Sequence, residues 1–160
     1  MSRAMELPPN ESLWNNVTLW SAAIGWTAAQ SFKFIRHYIQ TRSMDFSYFV
    51  STGGMPSAHS ALVSALATSV GMIHGLGSTL FAVTAIFALI VMFDAQGVRR
   101  AAGHQARMLN QMVEELVKQH HFPKREKLAE LLGHTRHEVF AGLVLGVCVA
   151  VAVHFLCRRF

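Results

Sequence analysis

Apolar residues fill three long stretches of the chain that contain no Asp, Glu, Lys or Arg. These stretches cover residues 12–32, 46–93 and 139–157, which are 21, 48 and 19 positions long. A helix needs about 20 apolar residues to cross the hydrocarbon core of a bilayer. The lengths therefore predict one, two and one crossings, and "HGLGST" at 74–79 supplies the turn that the middle stretch needs. We predict spans at about 13–32, 57–74, 78–93 and 138–157 within a single domain, 1–160.

Polar positions modify this picture in two places. The first stretch contains Asn15, Asn16 and Gln30, so a helix lying in the membrane interface is the alternative there. Between the last two spans, apolar residues recur at helical spacing with polar residues between them, at Met108, Leu109, Met112, Val113, Leu116 and Val117. This pattern predicts an amphipathic helix within the loop 94–137, and "FPKREKLAELLGH" predicts a second, shorter one after a proline stop. The expected fold is an all-α, polytopic membrane helix bundle with a cytoplasmic helical segment.

Composition and charge agree with a membrane protein and indicate its orientation. The chain is 52% hydrophobic and 14% charged, which is too apolar for an ordinary soluble protein of this size. Most basic residues lie after the first span or between the third and fourth, where the excess of Lys and Arg predicts a cytoplasmic side. We therefore expect a multi-pass protein of a bacterial cytoplasmic membrane. Its expected partner is the membrane, with no nucleic acid.

Four polar clusters fall at the predicted cytoplasmic ends of the spans. They are Lys33, the segment 53–60, the segment 94–100 and the segment 134–138. A compact four-helix arrangement would bring them together at one membrane face. Lys and Arg side chains with two helix starts favour an anion, because helix starts expose unpaired N–H groups and the positive end of a dipole. The clusters predict a phosphate pocket.

The segment "TGGMPSAHSA", residues 52–61, opens the second span. Pro56 suits the first turn of a helix, and Gly54 allows the backbone to approach a ligand closely. Ser57 and the backbone around it would then hold phosphate, while His59 could donate a proton to a leaving oxygen. The alternative is an ordinary helix cap with an incidental histidine.

The segment "GHTRHEV", residues 133–139, opens the fourth span. His134 and Glu138 are four positions apart, so the carboxylate could hold one ring nitrogen and leave the other as a nucleophile. Thr135 and Glu138 also form a capping-box pattern, and the two roles are compatible. In "DAQGVRRAAG" the residues Arg99 and Arg100 would bind phosphate or anchor the topology. Asp94 would pair with one of them or help to hold a divalent cation, although no cofactor or metal is required.

"TGGMPSAHSA", "DAQGVRRAAG" and "LGHTRHEVFAG", preceded by "QSFK", resemble the divergent branch of the type 2 phosphatidic acid phosphatase superfamily. This superfamily includes acid phosphatases and vanadium-dependent haloperoxidases. The resemblance implies that Ser57 and His59 form the motif of the acid histidine, and that His134 and Glu138 form the motif of the nucleophile. It also implies that Lys33 is the leading lysine and that Arg99 or Arg100 is the phosphate-binding arginine. His137 competes with His134 for the nucleophilic role.

The resemblance and the clustered residues together predict a lipid phosphate phosphatase that acts through a phosphohistidine. Phosphatidylglycerophosphate is the first expected substrate, followed by phosphatidic acid or a polyprenyl (di)phosphate. A non-enzymatic membrane protein that binds lipid phosphate is the competing hypothesis. Because four spans make a smaller core than the six usual in the superfamily, two chains could assemble as a homo-oligomer.

Overall fold

The computed structural model describes residues 13–42, 54–120, 128 and 133–157, without the side chains of residues 99 and 118–120. All regular structure in these ranges is helical, as predicted. A short 3₁₀ turn, Leu13–Asn15, precedes five α-helices. These are α1 (Val17–Thr41), α2 (Ala58–His74), α3 (Thr79–Gln96), α4 (Val98–His120) and α5 (Arg136–Cys157).

Polar side chains cap the starts of the first three helices. The side chain of Asn16 accepts from the Leu19 N–H at 2.9 Å, and that of Ser78 accepts from the Phe81 N–H at 3.2 Å. Between α2 and α3 the chain turns at Gly75, whose φ of 83° is unfavourable for residues with a Cβ. The turn predicted at 74–79 is therefore confirmed.

Two helices are longer than the apolar pattern predicted. The first span was expected to end near residue 32, but α1 continues to Thr41 because charged residues end an apolar stretch without ending a helix. The amphipathic helix expected in the loop begins at Val98, directly after α3. The Ala101 N–H donates to the Gly97 carbonyl at 2.9 Å, so the backbone passes from α3 to α4 almost without interruption.

Helix α2 lies at the centre and packs against α1, α3 and α5. Its buried positions are mostly Ala and Ser, which allow neighbouring backbones to approach closely. On α5, a Cβ at Gly142 or Gly146 would overlap the backbone carbonyl of Ser57 or Ala61. On α1, a Cβ at Gly25 would lie 3.0 Å from the Ala61 oxygen. The helices of the bundle thus pack most closely around the first half of α2.

The contacts between helices fix their relative directions. Ser69 near the end of α2 donates to Thr18 at the start of α1, whereas Ala58 packs against Ala29, so these two helices are antiparallel. Helix α5 runs parallel to α2, and α3 runs antiparallel to both. The end of α1, the start of α2, the end of α3 and the start of α5 therefore meet at one end of the bundle. This is the arrangement that the polar clusters predicted.

Two helical segments in the described residues are long and apolar enough to cross a membrane, the continuous run Thr79–Val117 and α5, Arg136–Cys157. At 1.5 Å per residue the 22 residues of α5 span about 33 Å, close to the thickness of the hydrocarbon core. Large apolar side chains of α3 remain exposed, including Val83 (61%), Ile90 (61%) and Phe93 (70%). The other two predicted spans correspond to α1 and α2, which pack beside these segments.

Helix α4 leaves the bundle with most of its apolar side chains exposed. The polar side chain of Asn110, by contrast, is buried and bonds to both the carbonyl and the N–H of Leu128. Its Nδ2 donates to the Leu128 carbonyl at 2.9 Å, and its Oδ1 accepts from the Leu128 N–H at 3.0 Å. Apart from Leu128, Gly133 and His134, the second amphipathic helix predicted in this loop falls outside the described residues.

Candidate active site

The imidazole of His134 and the carboxylate of Glu138 form a hydrogen-bonded pair at the start of α5. His134 Nδ1 lies 3.2 Å from Glu138 Oε2, and the two side chains are 5% and 22% exposed. A carboxylate only accepts hydrogen bonds, so in the neutral ring Nδ1 carries the proton and Nε2 carries the lone pair. The pair has the chemistry of an oriented nucleophile or general base.

The same carboxylate also caps α5. Glu138 Oε2 accepts from the Thr135 N–H at 2.8 Å, and the Glu138 N–H donates to Thr135 Oγ1 at 3.4 Å. These reciprocal bonds form the capping box that the sequence predicted. Glu138 Oε2 therefore both orients the imidazole and caps the helix.

Backbone hydrogen bonds join this helix start to two neighbouring helices. The Ser57 N–H donates to the Glu138 carbonyl at 2.9 Å, and the His134 N–H donates to the Ala95 carbonyl at 2.9 Å. Sequence reasoning did not identify Ala95, because any residue can supply a backbone carbonyl. These bonds fix the start of α5 against the start of α2 and the end of α3.

Ser57 is fully buried at the start of α2 and its polar groups bond within the protein. Its Oγ accepts from the Ser60 N–H at 3.3 Å and from Ser60 Oγ at 3.0 Å. The phosphate contact predicted at Ser57 stays a prediction. Ala58 and His59 are the first two residues of the helix that Ser57 caps.

His59 and Gly54 lie on either side of this cap. His59 is the second residue of α2 and is partly buried, in a segment bonded directly to the segment of His134. Gly54 is exposed and has a φ of 79°, where glycine is strongly favoured. Among the described residues, no atom lies within 4 Å of where a Cβ at Gly54 would be, so these residues leave space beside this backbone.

Helix α1 brings Lys33 and Gln30 towards the same end of the bundle. Lys33 is only 7% exposed and interacts electrostatically with the Glu138 carboxylate. Gln30 is 4% exposed, and its Oε1 has no hydrogen-bond partner among the described residues. The sequence pattern identified Gln30 only as a polar interruption of a span. Its place in an apolar stretch, three residues before Lys33, was the sequence feature that could have indicated a residue of this site.

The remaining predicted residues belong to the same end of the bundle, in α3, α4 and α5. Asp94 is partly buried near the end of α3, one residue before the carbonyl that binds His134. Arg100 is exposed in the first turn of α4, and Arg99 lies in that turn with its side chain outside the described part. His137 is exposed, whereas the imidazole of His134 is buried.

The charges near this site are suited to an anion. Lys33 is held inside the bundle, Arg100 lies at its end, and the starts of α2 and α5 add the positive ends of two helix dipoles. Within the described ranges, no group of three or more His, Cys, Asp or Glu side chains is positioned to share a metal ion. The arrangement can hold a phosphate group beside a polarised imidazole.

Comparison with known proteins places the chain in a family. The model of the Divergent PAP2 family matches residues 14–149, most of the chain. The chain is also similar to the uncharacterized membrane protein YuiD of Bacillus subtilis (strain 168), with 44% identity over 153 residues that cover 89% of this chain and 97% of the relative. No solved structure matches it. With two segments that are long and apolar enough to cross a membrane and a family match over residues 14–149, the chain is a membrane protein that belongs to the Divergent PAP2 family.

Proposed function

We propose that this protein is a membrane-embedded lipid phosphatase that hydrolyses a phosphomonoester through a phosphohistidine intermediate. The observation that carries the proposal is the hydrogen-bonded pair of buried His134 and partly exposed Glu138, 3.2 Å apart, at the end of the bundle where α2 begins. A buried imidazole held by a carboxylate is arranged for nucleophilic attack. The surrounding cationic side chains and helix starts would bind the phosphate.

In the first chemical step, His134 Nε2 attacks phosphorus while Glu138 holds the proton on Nδ1. A P–N bond forms as the P–O bond to the lipid alcohol breaks, and His59 donates a proton to the departing oxygen. In the second step His59 accepts a proton from water, and the resulting oxygen nucleophile displaces His134. The products are the lipid alcohol and inorganic phosphate.

Charge accumulates on the equatorial oxygens of phosphorus during both steps. Lys33 and the backbone near Ser57, at the positive end of the α2 dipole, are the proposed stabilising groups, with Arg99 or Arg100 contributing from α4. Removing one such preorganised donor typically lowers kcat by about 10²–10³. This scheme uses no metal ion, and Asp94 would be the accessory position for a divalent cation.

The proposed substrate is a lipid phosphate of the cytoplasmic leaflet. Basic residues between the predicted spans favour a cytoplasmic site in a bacterial membrane. Phosphatidylglycerophosphate is the first candidate, and phosphatidic acid and polyprenyl (di)phosphate follow. All three present a phosphate at the membrane surface.

A second candidate is a protein that binds lipid phosphate without turnover. The capping bond from the Thr135 N–H to Glu138 at 2.8 Å favours it, because this bond gives Glu138 a structural reason to be present. Under this hypothesis the basic end of the bundle recognises the headgroup and His134 only packs in the site.

Phosphate release from purified protein in lipid vesicles tests the proposal. Wild-type protein should release phosphate from at least one of the three lipid phosphates, whereas His134→Ala should release none. His137→Ala, which removes an exposed neighbouring imidazole, should retain activity. Equal rates for wild type and His134→Ala would refute the mechanism, and binding without release by wild type would support the second candidate.

The leaving group distinguishes the roles of the two imidazoles. p-Nitrophenolate departs without protonation, so in single-turnover formation of the phosphoenzyme His59→Ala should be much less impaired on p-nitrophenyl phosphate than on a lipid alkyl phosphate. His134→Ala should lose both activities, because no phosphohistidine can form. Acid-labile, base-stable labelling of wild type by ³²P-substrate, absent in His134→Ala, would identify the intermediate.

A further inference from the structure

A groove runs along the outer face of the bundle between the second half of α3 and the first half of α5. Its volume is about 360 Å³, which is within the range of pockets that bind small molecules. Apolar side chains form its wall, among them Leu89, Phe93, Phe140 and Leu143. Phe93 and Phe140 are 70% and 66% exposed, so the groove opens sideways, towards the region that lipid occupies around a membrane helix.

One end of the groove is polar. Gln96, at the end of α3, and Arg136 and His137, at the start of α5, line it there. The antiparallel course of the two helices places these three residues together and leaves Leu89 and Leu143 towards the other end. None of the described residues that line the groove is acidic.

The polar end adjoins the candidate active site. Gln96 follows Ala95, whose carbonyl accepts from the His134 N–H at 2.9 Å, and Arg136 lies two residues after His134. Val139 lines the groove and is also buried in the core beside Glu138. A molecule extended along the groove would therefore bring its polar end to the junction of α3 and α5 where His134 is held.

We propose that this groove binds an acyl chain of the anionic phospholipid substrate and that Arg136 binds its headgroup phosphate. The occupant follows from the apolar wall, the sideways opening and the cationic end without a carboxylate. This inference rests on the proposed function, since it assigns the lipid part of that substrate to a surface outside the catalytic residues. It makes Arg136 a substrate-binding residue, which the sequence motifs did not indicate.

Photocrosslinking tests the groove without requiring turnover. The probe is a phosphonate analogue of phosphatidic acid, whose C–P bond resists hydrolysis, with a diazirine in one acyl chain, present at a low fraction in phosphatidylcholine nanodiscs. We expect labelled peptides at 89–93 and 139–143 of the wild-type protein. A phosphatidylcholine probe with the same diazirine should label these segments weakly.

Substitutions separate specific binding from general contact with lipid. Leu143→Trp fills the groove and should lower labelling about tenfold, as expected if roughly two methylene groups are displaced from an apolar site. Val144→Trp, one residue along and exposed outside the groove, should leave labelling unchanged. Leu89→Trp fills the groove from α3 at a partly exposed position and provides a second test if Leu143→Trp does not fold.

The outcomes distinguish the groove from the phosphatase activity. Equal labelling by both probes, or equal labelling of the three Trp variants and wild type, would overturn the groove even if the protein releases phosphate. Probe-selective labelling that Leu143→Trp removes and Val144→Trp retains would establish the groove even if no phosphate is released. Arg136→Gln should remove the preference for the phosphonate probe while retaining labelling by acyl chains.

Discussion

Replacing Glu138 by Gln removes the charge of the carboxylate while keeping an oxygen atom. In the native protein Oε2 accepts from the Thr135 N–H at 2.8 Å and from His134 Nδ1 at 3.2 Å. A glutamine oxygen in the place of Oε2 can accept from both groups, so the helix cap and the orientation of the ring persist. The negative charge beside the imidazole is lost, so the positive charge that the ring gains when Nε2 attacks phosphorus is no longer stabilised.

The expected loss of activity follows from these bonds. A hydrogen bond to a charged group contributes about 1.5–3 kcal/mol, and each 1.36 kcal/mol in the barrier changes the rate tenfold. Because the charged acceptor is lost, we expect Glu138→Gln to lower kcat by about 10–10².

Stability should respond differently from activity. The cap persists in Glu138→Gln, so its unfolding free energy should change by less than about 1 kcal/mol. Thr135→Ala is the matched control because it removes the hydroxyl that accepts from the Glu138 N–H at 3.4 Å. That variant should lose about 0.5–1 kcal/mol of stability and retain kcat.

Phosphate release and thermal unfolding, measured on the same vesicle preparations, provide the two readouts. A catalytic role for the Glu138 carboxylate would be refuted if Glu138→Gln kept the wild-type rate with an unchanged unfolding temperature. It would also be refuted if Thr135→Ala and Glu138→Gln lost activity in proportion to their loss of stability, because Glu138 would then act only as a cap.

Three further predictions concern the rest of the site and its support. Lys33→Met should lower kcat/KM by about 10², because it removes a buried cation near the phosphate, and Lys33→Arg should recover part of the rate in the phosphate-release assay. Gly146→Val should destabilise the protein by about 1–3 kcal/mol in thermal unfolding because its side chain would overlap the α2 backbone. Gly77→Ala should be nearly neutral, since a Cβ there meets no atom of the described residues within 4 Å. Asn110→Ala removes both hydrogen bonds to Leu128, so hydrogen exchange of the Leu128 amide should accelerate by at least about tenfold if each bond contributes about 1 kcal/mol. Unchanged exchange would contradict a role for Asn110 in holding the loop.

The sequence predicted the helices better than their ends. Charge-free stretches locate apolar helices because hydrocarbon excludes charge, and α2, α3 and α5 lie within a few residues of the predicted positions. The same rule cannot locate the end of α1, since the basic segment after residue 32 remains helical. The sequence also did not indicate that α3 continues almost directly into α4. Glycine often follows the end of a helix, but Gly97 has helical φ and ψ here.

The candidate site was predictable where chemistry depends on side-chain type at fixed spacing. An imidazole and a carboxylate four positions apart meet on one helix face, so the pairing of His134 with Glu138 follows from the sequence. The partner of the Ser57 N–H does not follow from the sequence, because it is the carbonyl of Glu138, 81 positions away along the chain. The apolar groove was also hidden, since its lining comes from two distant helices and each apolar residue alone is typical of a lipid-facing surface.

Small residues far from the chemistry determine whether the site can assemble. Gly142 and Gly146 form a G-x-x-x-G pattern on the face of α5 that contacts α2, four and eight residues after Glu138. Without side chains there, the backbones approach closely enough for the Ser57 N–H to reach the Glu138 carbonyl at 2.9 Å. A larger residue at Gly142 would press on the Ser57 carbonyl itself and move the start of α2 away from His134. His59 and the first N–H groups of α2 belong to this helix start and would move with it. The absence of side chains at Gly142 and Gly146 therefore determines how close His59, the proposed acid, lies to His134, the proposed nucleophile.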